Sequence, residues 1–193
     1  MSMYSFLSVW ELESPIEEVW EVIRQADGYS EWFPYISESS QLSPGDADGV
    51  GATSRSVWRS ALPYGFVIDT EAVRVERPHL LELVASGGLV GTGRWELSTD
   101  GPITRVEYHW NVRTSARWMD VVAPLASPAF AWNHGVIMRA GGEGIARRLN
   151  ARLVRNQSFT AEASSPVGAI ASMAGILALP ILLLSLGRRL RAK

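Results

Sequence analysis

From residue 4 the chain alternates at a period of two. Tyr4, Phe6, Trp10 and Leu12 fall on one side, with Ser5, Glu11 and Glu13 among the others. This predicts a first strand with one buried face. The period then lengthens: Ile16, Val19, Trp20 and Ile23 recur at helical spacing behind Ser14-Pro15-Ile16-Glu17. That tetrad reads as a capping box, with Ser14 as N-cap, Pro15 at the first helical position and Glu17 at the third. Asp27-Gly28 stops the helix, Tyr29 to Phe33 makes one further turn closed by Pro34, and residues 43–49 form a loop by composition. Segments of strand character follow at Ala52–Ser60, Phe66–Glu76, Leu80–Ser86, Gly91–Ser98 and Arg105–Arg113, separated by Leu62-Pro63-Tyr64-Gly65, Arg77-Pro78, Gly87-Gly88 and Asp100-Gly101-Pro102. Hairpin-length breaks cannot connect parallel neighbours, so the segments form an antiparallel meander. Val106, Tyr108, Trp110 and Val112 share the face expected to point inward, as do Trp95 and Leu97 with Gly91 and Gly93.

The pattern returns to helical spacing over Ser127 to Arg155. Ser127 and Pro128 suit an N-cap and first turn, after a short helical lead-in at Arg117–Pro124. Phe130, His134, Ile137, Gly141, Ile145, Leu149 and Leu153 then lie on one face of a long helix. Gly135, Gly141, Gly142 and Gly144 interrupt it, each costing about 1 kcal/mol relative to alanine. A sequence bears that cost either for close backbone approach or to leave space beside the helix. The expectation adopted here is the second: a helix gripped by a curved sheet, with a ligand-sized hollow between them.

A length of 193 residues accommodates one well-buried domain and an appendage. Eight tryptophans exceed what packing requires and suit the walls of a cavity. A net charge of −2 argues against a nucleic-acid partner. The absence of cysteine excludes disulfides, thiolate nucleophiles and cysteine-ligated metals. The opening residues contain no basic region followed by an apolar core, so they do not read as a signal peptide. Residues 156–166 are small and polar and read as a linker. Residues 167–187 contain no charge, and 188–193 form a basic tail. From Glu162 onward four positive residues face one negative, a balance of +3 that leaves −5 for the rest. About 20 apolar residues suffice to cross a bilayer core, so 167–187 is expected to be a transmembrane helix. The domain it anchors is expected on the cytoplasmic side. The arginines flanking the segment tie with the basic tail in the positive-inside count.

Phosphate-loop, dinucleotide-loop and nucleophile-elbow motifs are absent, and His79, His109 and His134 are scattered. No cofactor and no metal site is expected. His134, on the inward stripe beside Phe130 and Met138, suits either an acid/base or hydrogen-bonding role toward a ligand or a core histidine bonded to a neighbour. Trp58, Trp95, Trp110 and Trp132 suit either pocket walls or ordinary packing. Asp69 and Glu71 share parity with Val67, Val73 and Val75, so a carboxylate here either faces inward, paired with Arg55 or Arg59, or sits solvated near the sheet edge, the less costly arrangement. Tyr64 and Tyr108 can donate hydrogen bonds to a polar ligand end. The candidate ligand-binding set is Trp58, Tyr64, Glu71, Trp95, Tyr108, Trp110, Phe130, Trp132, His134 and Met138. Its acid/base candidates are His134, Tyr64, Tyr108 and Glu71.

Ser14-Pro15-Ile16-Glu17-Glu18-Val19-Trp20, followed by Trp32-Phe33-Pro34, resembles the opening of the SRPBCC superfamily, also called START-like or Bet v 1-like. Leu62-Pro63-Tyr64, Gly91-Thr92-Gly93-Arg94-Trp95-Glu96-Leu97, Tyr108-His109-Trp110 and Trp132-Asn133-His134 look like its polyketide cyclase/dehydrase-type branch. The resemblance covers about residues 4 to 153. It implies an α+β helix-grip fold, a seven-stranded antiparallel sheet wrapped around a long C-terminal helix with a deep apolar cavity, here in a domain at 1–155. It implies lipid carriage, hormone reception or aromatase/cyclase activity, and it transfers no catalytic set onto this chain. A membrane-tethered binding domain for a lipid, isoprenoid or polyketide-like molecule, a cyclase/dehydrase-type enzyme and a ligand-free assembly protein are the functions to be separated.

Overall fold

The computed structural model describes residues 3–61, 65–114 and 117–161. Their order is β1 (Met3–Leu12), α1 (Ile16–Arg24), a 3-10 turn (Ala26–Gly28), α2 (Tyr29–Trp32), β2 (Ile36–Ser43), β3 (Thr53–Arg59), β4 (Gly65–Glu76), β5 (Leu80–Gly87), β6 (Leu89–Asp100), β7 (Ile103–Thr114), α3 (Arg117–Arg148) and β8 (Leu153–Ala161). The strands form one antiparallel sheet in the order β2-β3-β4-β5-β6-β7-β1-β8. The fold is thus of the α+β helix-grip kind, with eight strands among the described residues where seven were expected. The eighth occupies residues assigned from sequence to the end of the helix and the start of a linker.

The helix stops early because of Asn150. It holds a left-handed backbone with φ 50°, which asparagine tolerates better than most residues. The Asn150 amide donates to the Arg147 carbonyl and the Ala151 amide to the Ala146 carbonyl, closing the last turn. Leu153 therefore pairs with Leu12 in the sheet instead of extending the helical stripe. At its other end the helix starts at Arg117, so the expected lead-in belongs to it. Pro128 lies inside, where it removes a backbone donor and would ordinarily signal a start.

The cap of α1 also differs from the capping box. The helix begins at Ile16 with Pro15 in the cap position and no side-chain cap, while the Ser14 hydroxyl donates to the Glu18 carboxylate at 3.2 Å. Ile16, Val19, Trp20 and Ile23 are buried as their spacing predicts. With Trp10, Leu12, Phe33, Val106 and Ile145 they make a solid core at one end of the gripped helix.

The helix glycines belong to that solid end. A Cβ on Gly144 would lie 1.9 Å from the Trp32 carbonyl oxygen, one on Gly141 2.5 Å from the Phe33 ring, and one on Gly142 2.8 Å from the Trp10 indole nitrogen. Close approach, not empty space, is what these three provide, which corrects the expectation. Gly135 differs, its nearest neighbour being the tip of Arg139 at 3.7 Å.

Among the described residues no helix is long and apolar enough to cross a membrane. The expected span at 167–187 and the basic tail at 188–193 lie outside the described residues, as does Tyr64.

Candidate functional site

The sheet and the helix enclose a cavity of about 670 Å³, inside the range of small-molecule sites. It lies beside the part of α3 that carries Phe130, Asn133, His134, Ile137 and Met138, before the three close-packed glycines. The inner face of the sheet is low there because of its sequence. Ala72 and Ala85 face inward, and Gly93 lets the Trp110 ring pass where a Cβ would meet it at 2.9 Å.

Each wall has its own chemistry. On β6 and β7, Trp95 stacks on Tyr108 with centroids 3.8 Å apart and planes 21° apart, and Tyr108 on Trp110 at 5.6 Å and 24°. On β3 and β4 the register sets Ser54 opposite Thr70, Ser56 opposite Ile68 and Trp58 opposite Phe66. Trp58 and Phe66 stack at 6.4 Å, and the Trp58 indole donates to the Ser56 hydroxyl at 2.7 Å. Asn133 ties the helix to this hairpin, accepting from the Ser60 hydroxyl and the Ala61 amide, both at 2.9 Å.

His134 stacks on Phe6 with centroids 4.0 Å apart, and its Nε2 lies 3.4 Å from the Ser8 hydroxyl. Ser8 in turn is 3.0 Å from the Ser158 hydroxyl on β8. Of the two roles open to His134, the bonded core position is present, and the ring also lines the cavity. Burial pushes its pKa down to about 3, so the imidazole is neutral at neutral pH. Burial raises the Tyr108 hydroxyl well above its ordinary value, keeping it a donor. Among the described residues that hydroxyl has no hydrogen-bond partner. Among the described residues, every ionised one of the lining (Arg24, Asp27, Asp46, Asp48 and Arg77) is exposed and so belongs to the mouth.

Seven of the residues expected to bind a ligand meet at this cavity: Trp58, Trp95, Tyr108, Trp110, Phe130, His134 and Met138. Two do not. Trp132 is 54% exposed on the solvent side of α3, two positions and so more than half a turn from Phe130. Glu71 is exposed on the outer face of β4, because Phe66, Ile68, Thr70 and Ala72 take the inner one. Val75 nevertheless lines the cavity, since the β4–β5 register shifts between Ala72 and Arg74 and restores the other parity. Asp69 shares the outer face and takes a two-pronged bond from Arg55, 2.7 and 2.8 Å, which holds its carboxyl below the usual range. Ser54, Ser56, Thr70 and Asn133, which line the cavity, and Ser8, which bonds to His134, were not among the candidates. The signal for Ser8 was available: it occupies the inward parity between Phe6 and Trp10.

Outside the cavity, Glu96, Glu107 and His109 bring ligand atoms within 4.8 Å of one another. Both carboxylates already face guanidinium groups, Glu96 that of Arg94 and Glu107 that of Arg105 at 2.6 Å. This cluster is an ion-pair network of the outer sheet face.

The geometry now has relatives. The Zhui aromatase/cyclase of a Streptomyces species has the same fold with a TM-score of 0.61 and 17% identity, covering 77% of this chain and 94% of that one. A START superfamily protein from Mycobacterium smegmatis matches with 0.63 and 14%, covering 76% and 97%. The di-domain aromatase/cyclase BexL matches with 0.62 and 18%, covering 78% of this chain and 51% of its own length. At these identities the likeness is one of fold. No curated protein matches the chain in sequence. The family model for polyketide cyclase/dehydrase and lipid transport proteins matches residues 7–157. The chain therefore belongs to the polyketide cyclase/dehydrase and lipid transport family.

Proposed function

We propose that this chain is a binding domain that holds a small, largely apolar molecule between its sheet and α3. The observation that carries the reading is the 670 Å³ cavity whose ionised lining residues, among those described, are all exposed at the mouth. An interior to which the described residues bring no fixed charge favours an uncharged guest, since an ion would lose its hydration with nothing to replace it. The rigid aromatic wall supplies the contact area.

Native mass spectrometry of the chain purified from its own host tests this directly. A retained apolar molecule is expected. Trp95→Ala should reduce its retention about tenfold, whereas Trp132→Ala, away from the cavity, should leave it within about twofold. An empty cavity, or Trp132→Ala as the damaging change, would remove the reading.

The alternative of a cyclase/dehydrase-type enzyme draws on His134 and Tyr108, which face the same space. It is the weaker one, because an imidazole with a pKa near 3 is a poor base at neutral pH. A turnover abolished by His134→Ala with binding intact would reverse that order.

The uncharged stretch 167–187 adds a tether to the proposal, keeping the domain where apolar molecules dissolve. Removal of residues 167–193 should abolish a requirement for detergent. Equal behaviour of the full chain without detergent would refute the tether and leave the cavity reading intact.

A further inference from the structure

The eighth strand leaves the sheet with an open edge. Among the described residues β8 pairs only with β1, so every second backbone amide and carbonyl along it points away from the sheet. The opposite edge, β2, is protected. Its register shifts twice, between Ile36 and Glu38 and between Gln41 and Ser43. The Ser39 hydroxyl also ties it to the 3-10 turn and α2, donating to the Asp27 carbonyl at 2.6 Å and accepting from the Ser30 amide at 3.0 Å. β8 has no such protection. From Arg155 to Ala161 it runs in unbroken register with β1, and its nine residues contain no proline and a single charge. An edge that long and regular is a template for a further strand.

The side chains of β8 indicate which strand. Arg155, Gln157 and Phe159 lie opposite Glu11, Val9 and Leu7 and share the outer face of the sheet with them. Arg155 sits 3.4 Å from Glu11 and is exposed, and Phe159 is 50% exposed. We infer that β8 is a homodimer interface, at which a second copy of this chain adds its own β8 antiparallel about a two-fold axis at Gln157. Gln157 is the middle of the nine residues, so this register pairs the whole strand. It is also self-complementary. Arg155 of each copy then faces the Phe159 ring of the other, a cation–π pair made twice, and the two Gln157 amides meet and can bond to each other. The symmetry closes the contact at two copies. The inference does not depend on what the cavity holds.

The chain has no cysteine, so a single one introduced at the axis can link only to its counterpart in another copy. Directly opposed residues of an antiparallel pair have Cα atoms about 4.5–5.5 Å apart, within the roughly 4.4–6.8 Å a disulfide spans. The full chain, kept in a mild non-ionic detergent, is treated with oxidised glutathione. Gln157→Cys is expected to form a covalent dimer at least about tenfold faster than Ser98→Cys, exposed on the outer face of β6, or Ser40→Cys on β2. Sedimentation equilibrium of the cysteine-free chain measures the dimer itself. Phe159→Arg, which opposes like charges, should weaken it at least about tenfold, whereas Phe159→Glu, which offers Arg155 a carboxylate, should leave it within about threefold. The three cysteine variants share residues 162–193, so association through those residues would link all three alike. That result overturns the inference, as does a chain that stays monomeric at every concentration. Equal loss in Phe159→Arg and Phe159→Glu overturns it as well, because it would reduce the contact to an unregistered apolar one.

Discussion

Gly144→Ala is expected to abolish folding or to cost more than about 4 kcal/mol, a large share of the stability of a domain this size. The new methyl carbon would lie 1.9 Å from the Trp32 carbonyl oxygen and 3.5 Å from Pro34 Cδ. The obstacle is backbone, so no rotamer change relieves it. Withdrawal of α3 is opposed by its other contacts, because Gly141 rests on the Phe33 ring and Gly142 on the Trp10 indole. Gly135→Ala is the matched control. Its nearest atom is a flexible guanidinium at 3.7 Å, and the change should recover up to about 1 kcal/mol of helix propensity. Urea titrations of the two variants beside the parent chain decide the matter. A Gly144→Ala protein that unfolds at the parent's midpoint would show that α2 and α3 do not touch through their backbones.

The second large effect is acid sensitivity routed through His134. The ordinary imidazole pKa is near 6.5, and in the folded chain burial lowers it to about 3. Between those values the unfolded chain binds a proton that the folded one refuses. The stabilisation is therefore complete above pH 6.5 and drains away as the pH falls toward 3. The slope is at most about 1.4 kcal/mol per pH unit, or up to about 2 kcal/mol between pH 6.5 and 5. Carboxylates held down by arginines, such as Asp69, lose their share only below the ordinary carboxylate range. The upper window thus excludes the carboxylates, and the variant separates His134 from His79 and His109. His134→Gln should flatten the stability profile between pH 6.5 and 5. Parallel profiles for parent and variant would mean that the ring takes up its proton without opening the fold.

How much could be read from the chain depended on what each residue had to bury. Strands β3 to β7 and β1 carry apolar residues on one face, and their positions were evident from alternation. The two strands that escaped notice, β2 and β8, are the sheet's edges. Their sequences, ISESSQLS and LVRNQSFTA, are largely polar because an edge strand buries little. Asn150 ended the helix without the glycine that would have announced it. The inward face of β4 was left open between the two parities because Val67 and Val73 are exposed valines, at 41% and 44%. Seven of the ten candidate residues line the cavity, because rings and a methionine on the inner parity announce themselves. Serines and a threonine on that same parity did not, since nothing in one sequence separates a hydroxyl facing a guest from one facing water. The four helix glycines looked alike in sequence, and only their neighbours distinguish Gly144 from Gly135.

The placement of β1 between β7 and β8 has a consequence for synthesis. Its pairing partners are separated from it by roughly a hundred and a hundred and fifty residues of chain. During synthesis β1 must therefore wait, with Phe6 and Trp10 uncovered, until nearly the whole domain has been made. Such distant pairing slows folding and prolongs the exposure of sticky intermediates. The nascent chain should accordingly depend on holding chaperones most during the interval before residues 103–114 emerge.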